Sequence, residues 1–115
     1  MSKPGSSTHV SHEGDSVVVA VYGELDIVTA PAVWDEIMGA MGENPHRLVI
    51  DLAETTAMDL TGLGVIVSAH SRYPDAVIIR SPSDRVRMIL KISGLEPFLT
   101  VASGDDPSGP DDLSS

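Results

Sequence analysis

The sequence has no cysteine, few basic residues and no long apolar run, and each shortage removes a class of function. Without Cys there can be no zinc ribbon, iron–sulfur site, thiol nucleophile or thiol redox sensor, and the chain fits a reducing compartment. Lys and Arg number 7 against 17 Asp and Glu, a formal net charge of -10. Binding to phosphate backbones or anionic lipid needs clustered cations to release counterions, so neither nucleic acid nor membrane is an expected partner. The longest apolar runs, such as residues 17–22, are far too short to cross a bilayer, and residues 1–14 lack a basic segment followed by an apolar one. A soluble cytoplasmic protein is the expectation. The usual enzyme signatures fail as well: there is no Gly-Lys-Ser/Thr phosphate loop, Gly-x-Ser-x-Gly, His-Glu-x-x-His or dinucleotide glycine fingerprint. Neither enzymatic activity nor a cofactor is expected.

What is present is a chain of 115 residues, 42% of them hydrophobic, enough for one domain with its own core. Residues 1–7 read as a loose N-terminus. Residues 104–115 hold four Asp, two Pro and no base, which predicts a disordered, solubilising acidic tail. The domain therefore falls in residues 8–103. The β-branched run at 17–22 reads as a central strand, with an edge strand near 8–12 beside it. Thr29 is placed to cap a helix over 30–41, closed by a left-handed Gly42, with Val33, Ile37, Ala40 and Met41 on its inner face. Trp34 and Met38 either widen that stripe or form a small exposed contact.

Residues 47–52 read as a second buried strand, followed by a polar turn through Glu54, Thr55 and Thr56. Asp59 is placed as N-cap of a helix over 60–70. Gly62 and Gly64 each cost such a helix about 1 kcal/mol, so either the adjacent strand or a partner approaches its first turn closely. A strand at 77–80 follows, then a capping box with Ser81 as N-cap, a helix stopping at Gly94 and a short strand within 98–102. The order is ββαβαβαβ, an α/β domain whose sheet is parallel apart from an antiparallel hairpin edge.

The best enzyme-like constellation is Asp26, Asp51 and Asp59, all near strand ends, where a Mg²⁺ site for phosphotransfer or nucleotide binding could form. Turn, strand-end pairing and cap explain the three without a metal. His9 and His12 mimic a ligand pair, but alternation along an edge strand accounts for them too. No metal site is expected. The remaining feature is the helix start Asp59-Leu60-Thr61-Gly62-Leu63-Gly64, where free amides and the positive dipole end would tolerate a phosphate.

Gly23-Glu24-Leu25-Asp26-Ile27-Val28-Thr29-Ala30, Val49-Ile50-Asp51-Leu52, Met58-Asp59-Leu60-Thr61-Gly62-Leu63-Gly64-Val65 and Ser81-Pro82-Ser83 with Ser93-Gly94-Leu95 resemble, in order and spacing, the STAS domain of bacterial anti-sigma-factor antagonists. The resemblance implies a mixed sheet with helices on one side and no catalysis. It implies binding to an anti-sigma factor of serine-kinase type, release of a sigma factor, control by phosphorylation and a phosphatase that reverses it. It places the partner-binding patch at Asp26, Asp59, Leu60, Thr61, Gly62 and Leu63. The family's acceptor, the first hydroxyl residue after the Asp, is Leu60 here, so the ordinary switch cannot run at that position. Thr61 matches a second hydroxyl position and is the remaining candidate phosphoacceptor. A non-switching scaffold or sensor subunit of a larger assembly is the alternative that Leu60 motivates.

Overall fold

The structure, a computed structural model, describes residues 6–102. Residues 1–5 and the segment expected as an acidic tail lie outside the described residues. Two strands open the domain, β1 (Ser6–Glu13) and β2 (Ser16–Leu25), paired antiparallel from Ser6 opposite Gly23 to Glu13 opposite Ser16. Gly14, at φ +60, occupies the first position of the two-residue turn between them, where a side chain would be strained. The strand begins earlier than expected because this ladder runs on to Gly23, taking in Ser6 and Ser7.

Helix α1 spans Ala30–Met41, as its apolar spacing requires, and buries Val33, Ile37 and Ala40. Its end differs from expectation. Gly42 stays helical at φ -62, and the left-handed residue is Asn44 at φ 58. Strand β3 (Arg47–Asp51) then runs parallel to β2 along Ser16–Ala20. The segment read as a polar turn is instead strand β4 (Thr55–Met58), which pairs with the rest of β2, from Gly23 to Leu25. Its polar residues disguised it: Thr55 is completely buried, and its hydroxyl donates to the Val21 carbonyl at 2.9 Å.

Helix α2 (Leu60–Arg72), strand β5 (Val77–Arg80), helix α3 (Asp84–Ser93) and strand β6 (Val101–Ala102) complete the chain, with a 3-10 turn at Glu96–Phe98. The sheet order is β1-β2-β3-β5-β6, with β4 on β2. The observed order is therefore ββαββαβαβ. The cap of α3 also moves, from Ser81 to Ser83, whose oxygen accepts from Val86 N at 3.4 Å. The unforeseen β4 is the reason, because the Ser83 hydroxyl also donates to the Thr55 carbonyl at 2.6 Å and fixes where the helix starts. Gly94 ends α3 in the left-handed conformation, as expected.

All three helices cover one face of the sheet. Val17, Val19, Val21, Leu48, Ile50, Val77 and Ile79 point toward them and share one core with Val33, Ile37, Leu63, Ile66, Val86 and Leu90. The opposite face carries an in-register row, Val18, Val49 and Ile78, on the three central strands. On that face Arg80 reaches Asp51 on β3 at 3.2 Å and Glu13 on β1 at 3.1 Å. Burial lowers the guanidinium pKa, but the hydrogen bonds to Glu13 and Asp51 outweigh it and leave the value raised. Among the described residues no helix is long and apolar enough to cross a membrane.

Thr55→Val should keep the shape of this buried site but leave the Val21 carbonyl without its donor. The expected cost is about 1–2 kcal/mol, read as a lower urea midpoint at unchanged m-value.

Candidate functional site

The loop from β2 to α1 and the start of α2 meet at the end of the sheet. Asp26 folds the loop: its Oδ1 accepts from the amides of Val28 (3.0 Å) and Thr29 (3.1 Å) and lies 3.2 Å from the Thr29 hydroxyl. Thr29 is buried and precedes α1, but its side chain does not cap the helix. It accepts from Asp26 N at 3.0 Å and donates to the Glu24 carbonyl at 2.9 Å, so the hydroxyl closes the loop on itself.

Asp59 joins that loop to α2. One carboxylate oxygen caps the helix by accepting from Gly62 N at 2.9 Å, and the other accepts from Ile27 N at 3.1 Å. Its own amide donates to the Leu25 carbonyl at 3.3 Å. Both aspartates are thus engaged in holding the site together. Reversing either charge would rebuild the loop, and could not leave it intact as an isolated change of surface charge would.

The six residues of the expected patch divide sharply. Leu63 and Gly62 are buried, the former in the core. Leu60 is 77% exposed, and beside it in the chain's facing loop Ile27 and Val28 are 69% and 72% exposed. Thr61 is also exposed, and its hydroxyl makes no hydrogen bond among the described residues. No acceptor among those residues takes the amides of Leu60 and Thr61 either, as befits the open end of a helix. The outward surface is an apolar cluster around an unpaired helix terminus. Ile27 and Val28 were missed as candidates; a β-branched pair between two turn-forming residues, Asp26 and Thr29, was the available signal.

The two helix glycines have different causes. A Cβ on Gly62 would lie 2.1 Å from the Leu25 carbonyl oxygen, so the end of β2 demands glycine there. A Cβ on Gly64 would meet nothing within 4 Å among the described residues. Gly64 lines an uncharged groove of about 400 Å³ with Trp34, Thr61, Val65 and Ser68, between α1 and α2. Trp34 belongs to both readings offered for it, packing on the core while forming one wall of this groove.

The carboxylates of the alternative metal site are otherwise employed. Asp51 accepts from Ala53 N at 3.0 Å and pairs with Arg80, while Asp26 and Asp59 serve the loop and the cap. His9 and His12, three residues apart on β1, face opposite sides of the sheet, and His12 bonds Glu43 at 2.8 Å. Among the described residues no group of three or more His, Asp or Glu could hold a metal ion.

A mixed sheet covered on one face by three helices, with Ile27, Val28 and Leu60 exposed together at one helix start, defines a small α/β domain that presents an apolar surface at that end. The chain belongs to the STAS domain family, whose model matches residues 8–104. An anti-sigma-B factor antagonist of Staphylococcus epidermidis is 30% identical over 100 residues, 84% of this chain and 92% of that protein. One from Listeria monocytogenes is 32% identical over 90 residues, covering 76% of this chain and 79% of its own length. The crystal structure of an anti-sigma factor antagonist from Mycobacterium paratuberculosis superposes with a TM-score of 0.78 at 26% identity, over 88% of this chain and 89% of that one.

Proposed function

We propose that this chain is a cytoplasmic anti-sigma-factor antagonist that binds an anti-sigma factor of serine-kinase type through the start of α2 and so releases a sigma factor. The reading is supported by the antagonists it resembles along most of their length. The observation that carries the site is the exposed trio Leu60, Ile27 and Val28 around the open helix end, an apolar patch held in place by the carboxylate of Asp59. Asp26, Asp59 and Gly62 shape the patch, Leu63 anchors it in the core, and Leu60 and Thr61 meet the partner. Gly64 extends the contact, because a helix glycine that nothing among the described residues requires leaves room for the partner to approach.

Leu60 stands where the family pattern has its phosphoacceptor, so antagonism here is not set by phosphate at that position, and a phosphatase has nothing to reverse there. Thr61 is the hydroxyl left for modification. The exposed side chain of Leu60 also supports the non-switching scaffold reading, in which the same patch seats the chain in a larger assembly.

Calorimetry with purified serine-kinase anti-sigma factors of the source bacterium tests this directly. Saturable binding is expected, and Leu60→Asp should weaken it at least tenfold, about 1.4 kcal/mol, with unchanged melting temperature because the side chain lies in water. Absence of binding to any of them would overturn the antagonist reading. Unchanged affinity of Leu60→Asp would remove the patch from the interface.

A further inference from the structure

The outer face of α3 sets exposed apolar side chains among charges of both signs. Met88 and Ile92, one turn apart, are 61% and 78% exposed. Asp84, Arg87 and Lys91 follow the i, i+3, i+7 spacing along one flank of that ridge, and the five residues line one hollow. Arg85 stands on the other flank, where Met88 and Ile92 border a second hollow with Ala57 and Met58. All four charged residues are exposed, and no ion pair or side-chain hydrogen bond engages any of them among the described residues.

The order of these charges along the helix is self-complementary. The acid opens α3 and a base closes it, with Asp84 and Lys91 about 10 Å apart along the axis. A twofold axis passing between Arg87 and Met88 lays a second α3 antiparallel on the first and brings each flank against the same flank of the other copy in reverse order. Asp84 then stands opposite Lys91 of the second copy, and Lys91 opposite its Asp84, so an ion pair closes each end of the contact. Met88 meets Met88 of the second copy beside the axis, and Ile92 covers the first turn of the facing helix. Arg85 and Arg87 keep their head groups in water with their stems along the ridge. The antiparallel setting also opposes the two helix dipoles favourably. A net charge of -10 makes two copies repel over most approaches, and a face holding three of the chain's 7 bases is where that repulsion is relieved.

We propose that two copies of this chain associate through α3, antiparallel about a twofold axis at Met88, with reciprocal Asp84–Lys91 ion pairs flanking the contact of Met88 and Ile92. The association does not depend on the anti-sigma reading. One ten-residue helix from each copy makes a small contact, so the pair belongs to the weak, concentration-dependent class of interface and not to the obligate one. By symmetry it carries two Leu60 patches, one on each copy, and offers two docking points to whatever binds the start of α2.

Sedimentation equilibrium of the full chain over a concentration series tests it. The wild-type mass should rise from monomer toward dimer, and Met88→Glu should abolish the rise. Asp84→Lys and Lys91→Asp should each raise the dimer Kd at least about tenfold, because each sets like charges opposite one another at both ends of the contact. An equimolar mixture of these two variants should recover the wild-type affinity, since opposite charges then face each other at both ends again. A variant that had merely lost its fold could not be rescued in this way. A wild type that stays monomeric throughout the series would overturn the proposal, as would charge variants that associate like the wild type or a mixture no tighter than either variant alone. Amides of residues 84–92 that ignore protein concentration and shift only when a serine-kinase anti-sigma factor is added would overturn it too, and would assign the face to that partner.

Discussion

Gly62→Ala is expected to destabilise the domain by about 3 kcal/mol, whereas Gly64→Ala, two residues along the same helix, should stabilise it by up to about 1 kcal/mol. A Cβ at position 62 would sit 2.1 Å from the Leu25 carbonyl oxygen, 2.8 Å from its carbon and 2.9 Å from Leu25 Cγ. These are atoms of a strand end that cannot easily retreat. Leu25 is completely buried, pairs with Met58 of β4, and its carbonyl accepts from Asp59 N. Moving it would disturb the sheet, the helix cap and the loop together, which places the cost at the upper end of ordinary overpacking. At position 64 the added methyl meets open space, so the helix gains propensity with no clash. Urea unfolding of both variants reads the two signs. A cost below about 0.5 kcal/mol for Gly62→Ala would mean that the end of β2 yields, and the explanation of that glycine would fail.

The same pair bears on function. If Gly64 is kept free for a partner, Gly64→Leu should fold at least as well as wild type and yet lose affinity for the anti-sigma factor. Gly62→Ala would lose affinity only in proportion to its loss of folded protein. Stability and binding thus move in opposite directions at one glycine and together at the other, a separation that a purely structural account of both residues does not produce.

Much of this arrangement was legible in the residues, and the exceptions share one cause. Helix α1 and strand β5 could be bounded from the residues alone, because Val33, Ile37 and Ala40 recur at helical spacing and Val77, Ile78 and Ile79 form one short apolar run. Strand β4 could not, because its buried residue at one end is Thr55, whose hydroxyl is satisfied by a carbonyl on β2 that is distant in sequence. A polar residue paired across the fold looks locally like a turn. The error then propagated, since Ser83 bonds to that same strand and so takes over the cap assigned to Ser81. Gly42 and Asn44 show the reverse situation: either suits a helix end, and only the path into β3 decides which takes positive φ. For the candidate site, the cap by Asp59 was readable, but its second bond to Ile27 N was not. That bond spans two segments, and it is what brings Ile27 and Val28 beside Leu60.

Leu60→Ser should turn a chain that is not phosphorylated at the start of α2 into one that accepts phosphate stoichiometrically from a serine-kinase anti-sigma factor, and the phosphorylated variant should lose affinity for that kinase. The transfer needs a hydroxyl held in line with the ATP γ-phosphate, and a leucine side chain has none to offer. The environment is otherwise suited to the product. Position 60 is exposed, so serine there costs the fold little, and the unpaired amides of Leu60 and Thr61 with the positive end of the helix tolerate a dianion. Added charge in the middle of the patch formed with Ile27 and Val28 would then oppose burial against a partner. Thr61 does not substitute for the missing group. One residue along a helix turns the side chain by about 100°, and Thr61 lines the groove with Trp34 and Gly64 instead of sharing the outward direction of Leu60. The assay incubates wild type, Thr61→Ala and Leu60→Ser with the kinase and ATP and locates phosphate by mass spectrometry. Background incorporation in the first two and full incorporation at position 60 in the third is the expected pattern. Stoichiometric phosphorylation of the wild type that vanishes in Thr61→Ala would make Thr61 the switch and end the reading of an antagonist uncoupled from phosphate.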